Sequence, residues 1–125
     1  MRWLVDGNNV IGARPDGWWR DRTGAMARLV AALDAFAAGS GEEVAVVFDG
    51  RERAVGQDGA PRVTVGFAPG GRNAADDAVA ARVAADGDPA TLTVVTSDRE
   101  LASRVRAAGA HVAGAGGFRD RLPEP

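Results

Sequence analysis

Aspartates are the first acidic residues after three apolar runs of this sequence: Asp6, Asp49 and Asp98. Each run is short and continuous, as expected of a strand that is buried on both faces. Because the carboxyl ends of parallel strands lie at the same edge of a sheet, the three side chains are expected to meet there. Asp76 and Asp77 begin a helical stretch and can reach the same edge.

Several carboxylates held this close repel one another in a partly dehydrated cleft, and a cation is needed to keep them ionised. The chain has no cysteine and one histidine, so the available ligands are almost all oxygen atoms. Such a donor set favours Mg²⁺ or Mn²⁺. A site of this kind suits the hydrolysis of phosphodiester bonds, with water as the nucleophile and no covalent enzyme intermediate.

Each aspartate also has a simpler structural interpretation. Asp98 fits the N-cap of the following helix, and Asp76 or Asp77 would favour a helix N-terminus through the helix dipole. The convergence of three strand ends favours the metal site over capping alone. Asn9 is interpreted as a polar group that supports Asp6 or a bound water, with a turn role as the open alternative, and Asn8 is interpreted as a turn residue.

Cations flank the predicted acidic edge. All 15 basic residues are arginines, although the formal net charge is −2 and does not resemble that of a typical nucleic-acid-binding protein. The arginines that follow the Asp-terminated strands or precede Asp76 are candidate ligands for RNA phosphates: Arg14, Arg51, Arg53, Arg72 and Arg99, with Arg20 and Arg22 nearby. One of Trp18 and Trp19 could stack on an unpaired base, but packing over the first long helix is the commoner outcome.

The elements that must position these residues alternate between strand and helix. Strands are predicted at residues 3–5, 44–48, 63–67, 92–95 and 111–113, and helices at 23–38, 74–85 and 99–108. Residues 51–61 and 114–117 are predicted to be loops. The pattern predicts one α/β domain over residues 1–125, with a mostly parallel sheet of about five strands and helices on both faces.

Trp3 is predicted to lie in the core, and His111 is predicted to have a structural role. No apolar run is long enough for a signal peptide or a membrane span, so a cytoplasmic protein is expected.

Four segments, at residues 6–12, 46–49, 73–77 and 94–99, resemble in their order the motifs of the YacP-like branch of the NYN domain, which belongs to the PIN-like ribonuclease superfamily. The resemblance implies a three-layer α/β/α sandwich, a divalent metal site and endoribonuclease activity. It puts the metal-binding and catalytic residues at Asp6, Asp49, Asp76 and Asp98, supported by Asn9. Asp77, a further candidate ligand, lies where members of the family vary, and Asn8 stands where an aromatic residue is common.

The leading hypothesis is therefore a metal-dependent endoribonuclease whose partner is RNA, with tRNA, rRNA and ribosome-associated mRNA as candidate substrates. The alternative is a non-catalytic RNA-binding module of the same fold. A phospho-receiver domain would need a lysine, which the chain lacks. A haloacid-dehalogenase-like phosphatase would need an aspartate where Asn8 stands, and a dinucleotide-binding fold would need a glycine fingerprint after the first strand. The sequence leaves the oligomeric state open.

Overall fold

A five-stranded parallel sheet forms the centre of the computed structural model, which describes residues 1–71 and 73–123. The strand order is 3-2-1-4-5, and every neighbouring pair is parallel. All five predicted strands are confirmed, and three are longer than predicted: β1 Arg2–Asp6, β2 Glu43–Asp49, β3 Val63–Ala68, β4 Leu92–Val95 and β5 His111–Ala113.

Helices connect these strands and cover both faces of the sheet. The three predicted helices are present, together with two further ones: α1 Gly7–Ile11, α2 Arg22–Ser40, α3 Ala74–Ala84, α4 Arg99–Ala107 and α5 Ala115–Arg121. No helix in the described part of the chain is long and apolar enough to cross a membrane.

The prediction of a loop at residues 114–117 is wrong, because α5 begins within it. Gly116 and Gly117 disfavour a helix by their intrinsic propensity. Their neighbours Ala115 and Phe118 are buried, however, and Phe118 packs in the core against Trp3 at a ring-centroid distance of 5.1 Å. Burial of these side chains therefore outweighs the local preference of the glycines.

Two apolar cores lie on opposite faces of the sheet. Along β1, Trp3 and Val5 contribute to the core with α1, α2 and α5, whereas Leu4 contributes to the core with α3 and α4. This alternation is what a strand buried on both faces produces. The result is the three-layer α/β/α sandwich that the resemblance implied, and Trp3 lies in the core as predicted, being 8% exposed.

The path of the chain fixes which element ends lie near the strand ends. Because β1 and β2 are parallel, α2 must run back across the sheet, so its N-terminus lies at the carboxyl edge. Helix α3 connects β3 to β4, and α4 connects β4 to β5, so the N-termini of these two helices also lie at the carboxyl edge. The chain leaves β1 toward β2 and β3 and later returns to the other side of β1 with β4. This change of direction at β1 is where α/β sheets commonly place a ligand.

Gly7 allows α1 to lie directly against β2. A Cβ atom at this position would stand 2.5 Å from Cδ1 of Phe48 and 2.9 Å from Cγ2 of Val46, two fully buried side chains. We therefore expect Gly7→Ala to lower the free energy of unfolding by about 1–3 kcal/mol through overpacking, as measured by chemical denaturation. The matched control is Gly39→Ala in α2, where the added methyl group would have no described atom within 4 Å. It should raise the stability by about 0.5–1 kcal/mol. Equal effects of the two substitutions would contradict this account.

Candidate active site

Four aspartates from four separate elements lie at the carboxyl edge of the sheet. Asp6 ends β1, Asp49 ends β2, Asp98 caps α4 after β4, and Asp76 lies in the first turn of α3. Asp6 is opposite Val47 in the register, so β2 carries Asp49 two residues beyond it. Asp6 is only 6% exposed, Asp76 and Asp98 are half-buried, and Asp49 is exposed.

The electrostatics of the site join these carboxylates into one cluster. The pKa of Asp6 is raised to about 6, mainly by burial and to a smaller extent by the charges of Asp76 and Asp49, while the hydrogen bonds from Thr96 and from the backbone amide of Asn9 oppose the shift. Burial also raises the pKa of Asp49. The pKa of Asp76 is raised by burial and then by the charges of Asp98 and Asp49, while the charge of Arg104 partly opposes the shift. Each carboxylate thus lies within the electrostatic reach of at least one other, and we call these four side chains the acidic cluster.

Side-chain hydrogen bonds tie the three strand ends together. The Thr96 hydroxyl donates to Oδ2 of Asp6 at 2.9 Å and accepts the backbone N–H of Asp98 at 3.1 Å. Oδ1 of Asn8 accepts the backbone N–H of Asp49 at 2.7 Å. Oδ1 of Asn9 accepts the backbone N–H of Ser97, also at 2.7 Å. The two adjacent amides after β1 therefore hold the ends of β2 and β4.

These bonds define what Asn8, Asn9 and Thr96 do at the site. Asn8 is a helical residue whose amide reaches the neighbouring strand, so its prediction as a turn residue is wrong. The Asn9 side chain holds the loop after β4, and Asn9 acts on Asp6 through its backbone amide. Thr96 is buried, and its hydroxyl supports Asp6. The adjacent asparagines that follow Asp6-Gly7 were the sequence signal for a polar role, but they do not indicate which backbone N–H groups are bound.

Two of the predicted acidic residues have clear structural partners. Oδ1 of Asp98 accepts the backbone N–H of Leu101 at 2.9 Å, so Asp98 is the N-cap that its position indicated. Asp77 is exposed, and its Oδ1 accepts a hydrogen bond from Nη1 of Arg104 at 3.0 Å. Asp77 thus joins α3 to α4 through an ion pair with Arg104, whereas its neighbour Asp76 belongs to the acidic cluster.

The predicted RNA-contacting arginines occupy different settings. Arg14 forms an ion pair with Asp120. Nη1 of Arg53 donates to the Thr23 hydroxyl at 3.1 Å, so the loop after β2 contacts the start of α2. Arg51 in that loop and Arg99 at the start of α4 are both exposed. Arg72 lies outside the described residues.

The aromatic residues of the loop before α2 divide into a packed one and an exposed one. Trp18 is half-buried and packs against the core beside α2, which is the expected outcome for one member of the pair. Trp19 remains 48% exposed. His111 lies on β5, where its Nε2 is 3.1 Å from the carbonyl oxygen of Ala90.

Comparisons with known proteins find the same overall fold. The crystal structure of a mutant of Rae1 (YacP) from Bacillus subtilis is similar, with a TM-score of 0.75 and 27% identity over 97% of this chain and 78% of that chain. A second crystal structure of Rae1 (YacP) from Bacillus subtilis gives a TM-score of 0.71 and 24% identity over 97% and 76% of the two chains. No curated protein sequence matches the chain. The family model described as the YacP-like NYN domain matches residues 3–124, and the chain therefore belongs to this family of PIN-like nucleases.

Proposed function

We propose that the chain is a metal-dependent endoribonuclease, which hydrolyses RNA phosphodiester bonds at the acidic cluster. One observation carries the proposal: four carboxylates lie within electrostatic reach of one another at one edge of the sheet, and none of them is held in an ion pair with a described residue. Within the described part of the chain, none of the four forms an ion pair with an arginine. Other aspartates do have such a partner: Asp16, Asp77, Asp86 and Asp120. The excess of negative charge at this edge is what a divalent ion would neutralise.

The donor set fits a hard cation, because all of its atoms are carboxylate oxygens. No three carboxyl or imidazole groups among the described residues are already gathered closely enough to hold one ion. Asp6 is fixed by Thr96, whereas Asp49 is exposed and Asp76 is half-buried, so their side chains have room to turn. We infer that Asp6, Asp49, Asp76 and Asp98 would hold Mg²⁺ or Mn²⁺, with Asp77 excluded by its ion pair unless that pair opens.

A bound divalent ion would supply Lewis acidity at the phosphate and make a water molecule more acidic. The residues of this chain orient the carboxylates and hold the loops that carry them. Thr96 aims one oxygen of Asp6, and Asn9 keeps the loop that carries Asp98 in place, which makes Asn9 a positioning residue. Exposed guanidinium groups near the edge, such as those of Arg51, Arg53 and Arg99, would contact the RNA phosphates.

The deciding experiment incubates the purified chain with a pool of tRNA, rRNA, mRNA and a circular RNA in Mg²⁺, Mn²⁺ or EDTA. We expect cleavage only with a divalent ion, and we expect it to include the circular RNA, which has no ends. Asp49→Asn should lower the cleavage rate by about 100-fold or more, because one negative ligand is lost. The control is Asp58→Asn, an exposed aspartate outside the acidic cluster, which should retain the wild-type rate.

Two results would overturn the proposal. Cleavage that persists in EDTA would show that no divalent ion takes part. RNA binding without turnover in Mn²⁺ would identify the chain as the non-catalytic RNA-binding module that the sequence left as the alternative.

A further inference from the structure

Trp19 exposes an apolar ring that the fold does not use. Among the described residues, only Trp19 and Met1 are large hydrophobic side chains with high exposure, at 48% and 57%. The ring of Trp19 meets that of Trp18 edge-on, with centroids 5.8 Å apart and an interplanar angle of 86°. Trp18 is packed against the core, so it holds the exposed ring in a defined position.

One guanidinium group lies over each of the two tryptophan rings. The Cζ atom of Arg20 lies 6.0 Å from the centroid of Trp19, and that of Arg22 lies 5.3 Å from the centroid of Trp18. Neither arginine forms an ion pair with a described carboxylate. The carboxylate between them, Asp21, accepts the backbone N–H of Gly24 as the N-cap of α2. The surface formed by Trp18, Trp19, Arg20, Arg22 and Arg53, here called the tryptophan patch, therefore combines an aromatic ring with positive charge.

The tryptophan patch lies at the same edge of the sheet as the acidic cluster. It immediately precedes α2, whose N-terminus is at the carboxyl edge because α2 connects two parallel strands. The hydrogen bond from Arg53 to Thr23 joins it to the loop that follows Asp49. A nucleic-acid strand that enters the cluster from the β2 side would therefore meet the patch.

We propose that the tryptophan patch binds an unpaired nucleotide of the RNA, with its base stacked on Trp19 and its phosphate against the arginines. This inference rests on the proposed function and names its substrate class, which is a single-stranded segment. The face of an unpaired base is free to stack on an aromatic ring, whereas a base inside a duplex presents only its edges. The positive charge beside the ring is complementary to the RNA backbone.

The test measures RNA binding in an Asp49→Asn background with Mg²⁺, so that the RNA stays intact. A 12-nucleotide single strand should bind at least ten-fold more tightly than the same sequence in a duplex. Trp19→Ala should weaken the binding of the single strand roughly ten-fold, as expected for one lost stacking contact, and Trp19→Phe should retain most of the affinity. Arg22→Ala should also weaken binding. The charge-matched control is Arg106→Ala, because Arg106 is exposed in the last turn of α4, at the opposite end of that helix from Asp98.

Tryptophan fluorescence supplies a second readout that affinity alone does not give. Stacking on Trp19 should quench the emission when the single strand binds. The quenching should disappear in Trp19→Phe and persist in Trp18→Phe, which keeps an aromatic ring packed against the core.

Three outcomes would overturn the inference. The first is that Trp19→Ala binds the single strand as tightly as the parent protein does, and the second is that duplex and single strand bind with equal affinity. The third is that Trp19→Ala changes the sedimentation of the protein without changing its affinity for RNA. The last result would assign Trp19 to a protein contact. Failure of the proposed function would give a different result: the wild-type protein would not cleave RNA with Mg²⁺ or Mn²⁺. That result does not depend on the effect of the Trp19 variants on binding.

Discussion

Asp6→Asn is expected to abolish RNA cleavage and, at the same time, to make the metal-free protein more stable at neutral pH. Asp6 is the most deeply buried member of the acidic cluster, at 6% exposure. Loss of its charge removes a ligand for the divalent ion, and we expect the cleavage rate to fall by about 1,000-fold. The asparagine that replaces it can still accept the hydrogen bond from Thr96 through its own Oδ1, so the support of this side chain is retained.

The gain in stability follows from the direction of the pKa shift. In the fold the pKa of Asp6 is about 6, mainly because of burial, whereas in the unfolded chain it is about 4. Protonation therefore favours the fold, and the free energy of unfolding falls as the pH rises from about 4 through about 6. Asp6→Asn lacks this fall and should be about 1–2 kcal/mol more stable at pH 8.

Urea denaturation in EDTA at pH 5 and pH 8 measures this effect. The difference between wild type and Asp6→Asn should be larger at pH 8 than at pH 5, and Mn²⁺ should reduce it by stabilising the wild type. Asp58→Asn serves as the control and should match the wild type at both pH values. A loss of stability in Asp6→Asn at pH 8 would show that the charge of Asp6 does not destabilise the fold.

Asp98→Asn should separate the two roles of this residue, because asparagine caps a helix about as well as aspartate does. We expect its rate of RNA cleavage to fall by about 100-fold while its stability stays within about 0.5 kcal/mol of the wild type. Asp98→Ala should lose the activity and also about 1 kcal/mol of stability, because the backbone N–H of Leu101 loses its acceptor. Thermal unfolding and a single-turnover cleavage assay together test both statements.

Asp21→Asn is the matched control for the cap. Asp21 caps α2 through the backbone N–H of Gly24 at 2.9 Å but lies outside the acidic cluster. It should retain both stability and cleavage. If Asp98→Asn also retained full activity, Asp98 would be a structural cap alone.

The acidic edge could be predicted from the sequence because the relevant signals are local. Each of Asp6, Asp49 and Asp98 follows an apolar run, and the rule that parallel strands share a carboxyl edge then brings them together. The choice between Asp76 and Asp77 could not be predicted in the same way. The side chains of these neighbours leave the helix in directions about 100° apart. The partner of Asp77 is Arg104, which is 27 residues further along the chain.

The features that the sequence did not predict depend on distant partners. Asn8 and Asn9 find their hydrogen-bond donors 41 and 88 residues away, so nothing near them in the chain indicates the contact. Helix α5 contains two glycines and is fixed by the burial of Phe118 against Trp3. In both cases tertiary structure decides what local preference leaves open.

The placement of Asn8 and Asn9 implies that some stretches of the chain tolerate insertions and deletions and that others do not. An insertion or deletion between Asp6 and Asn9 would rotate these amides by about 100° per residue, and the backbone N–H groups of Asp49 and Ser97 would then lose their acceptors. By contrast, Arg14 and Asp16, in the stretch at residues 12–17, contact α5 through exposed ion pairs. Natural variants of this domain should therefore vary in length in that stretch, while the spacing of residues 6–9 stays constant.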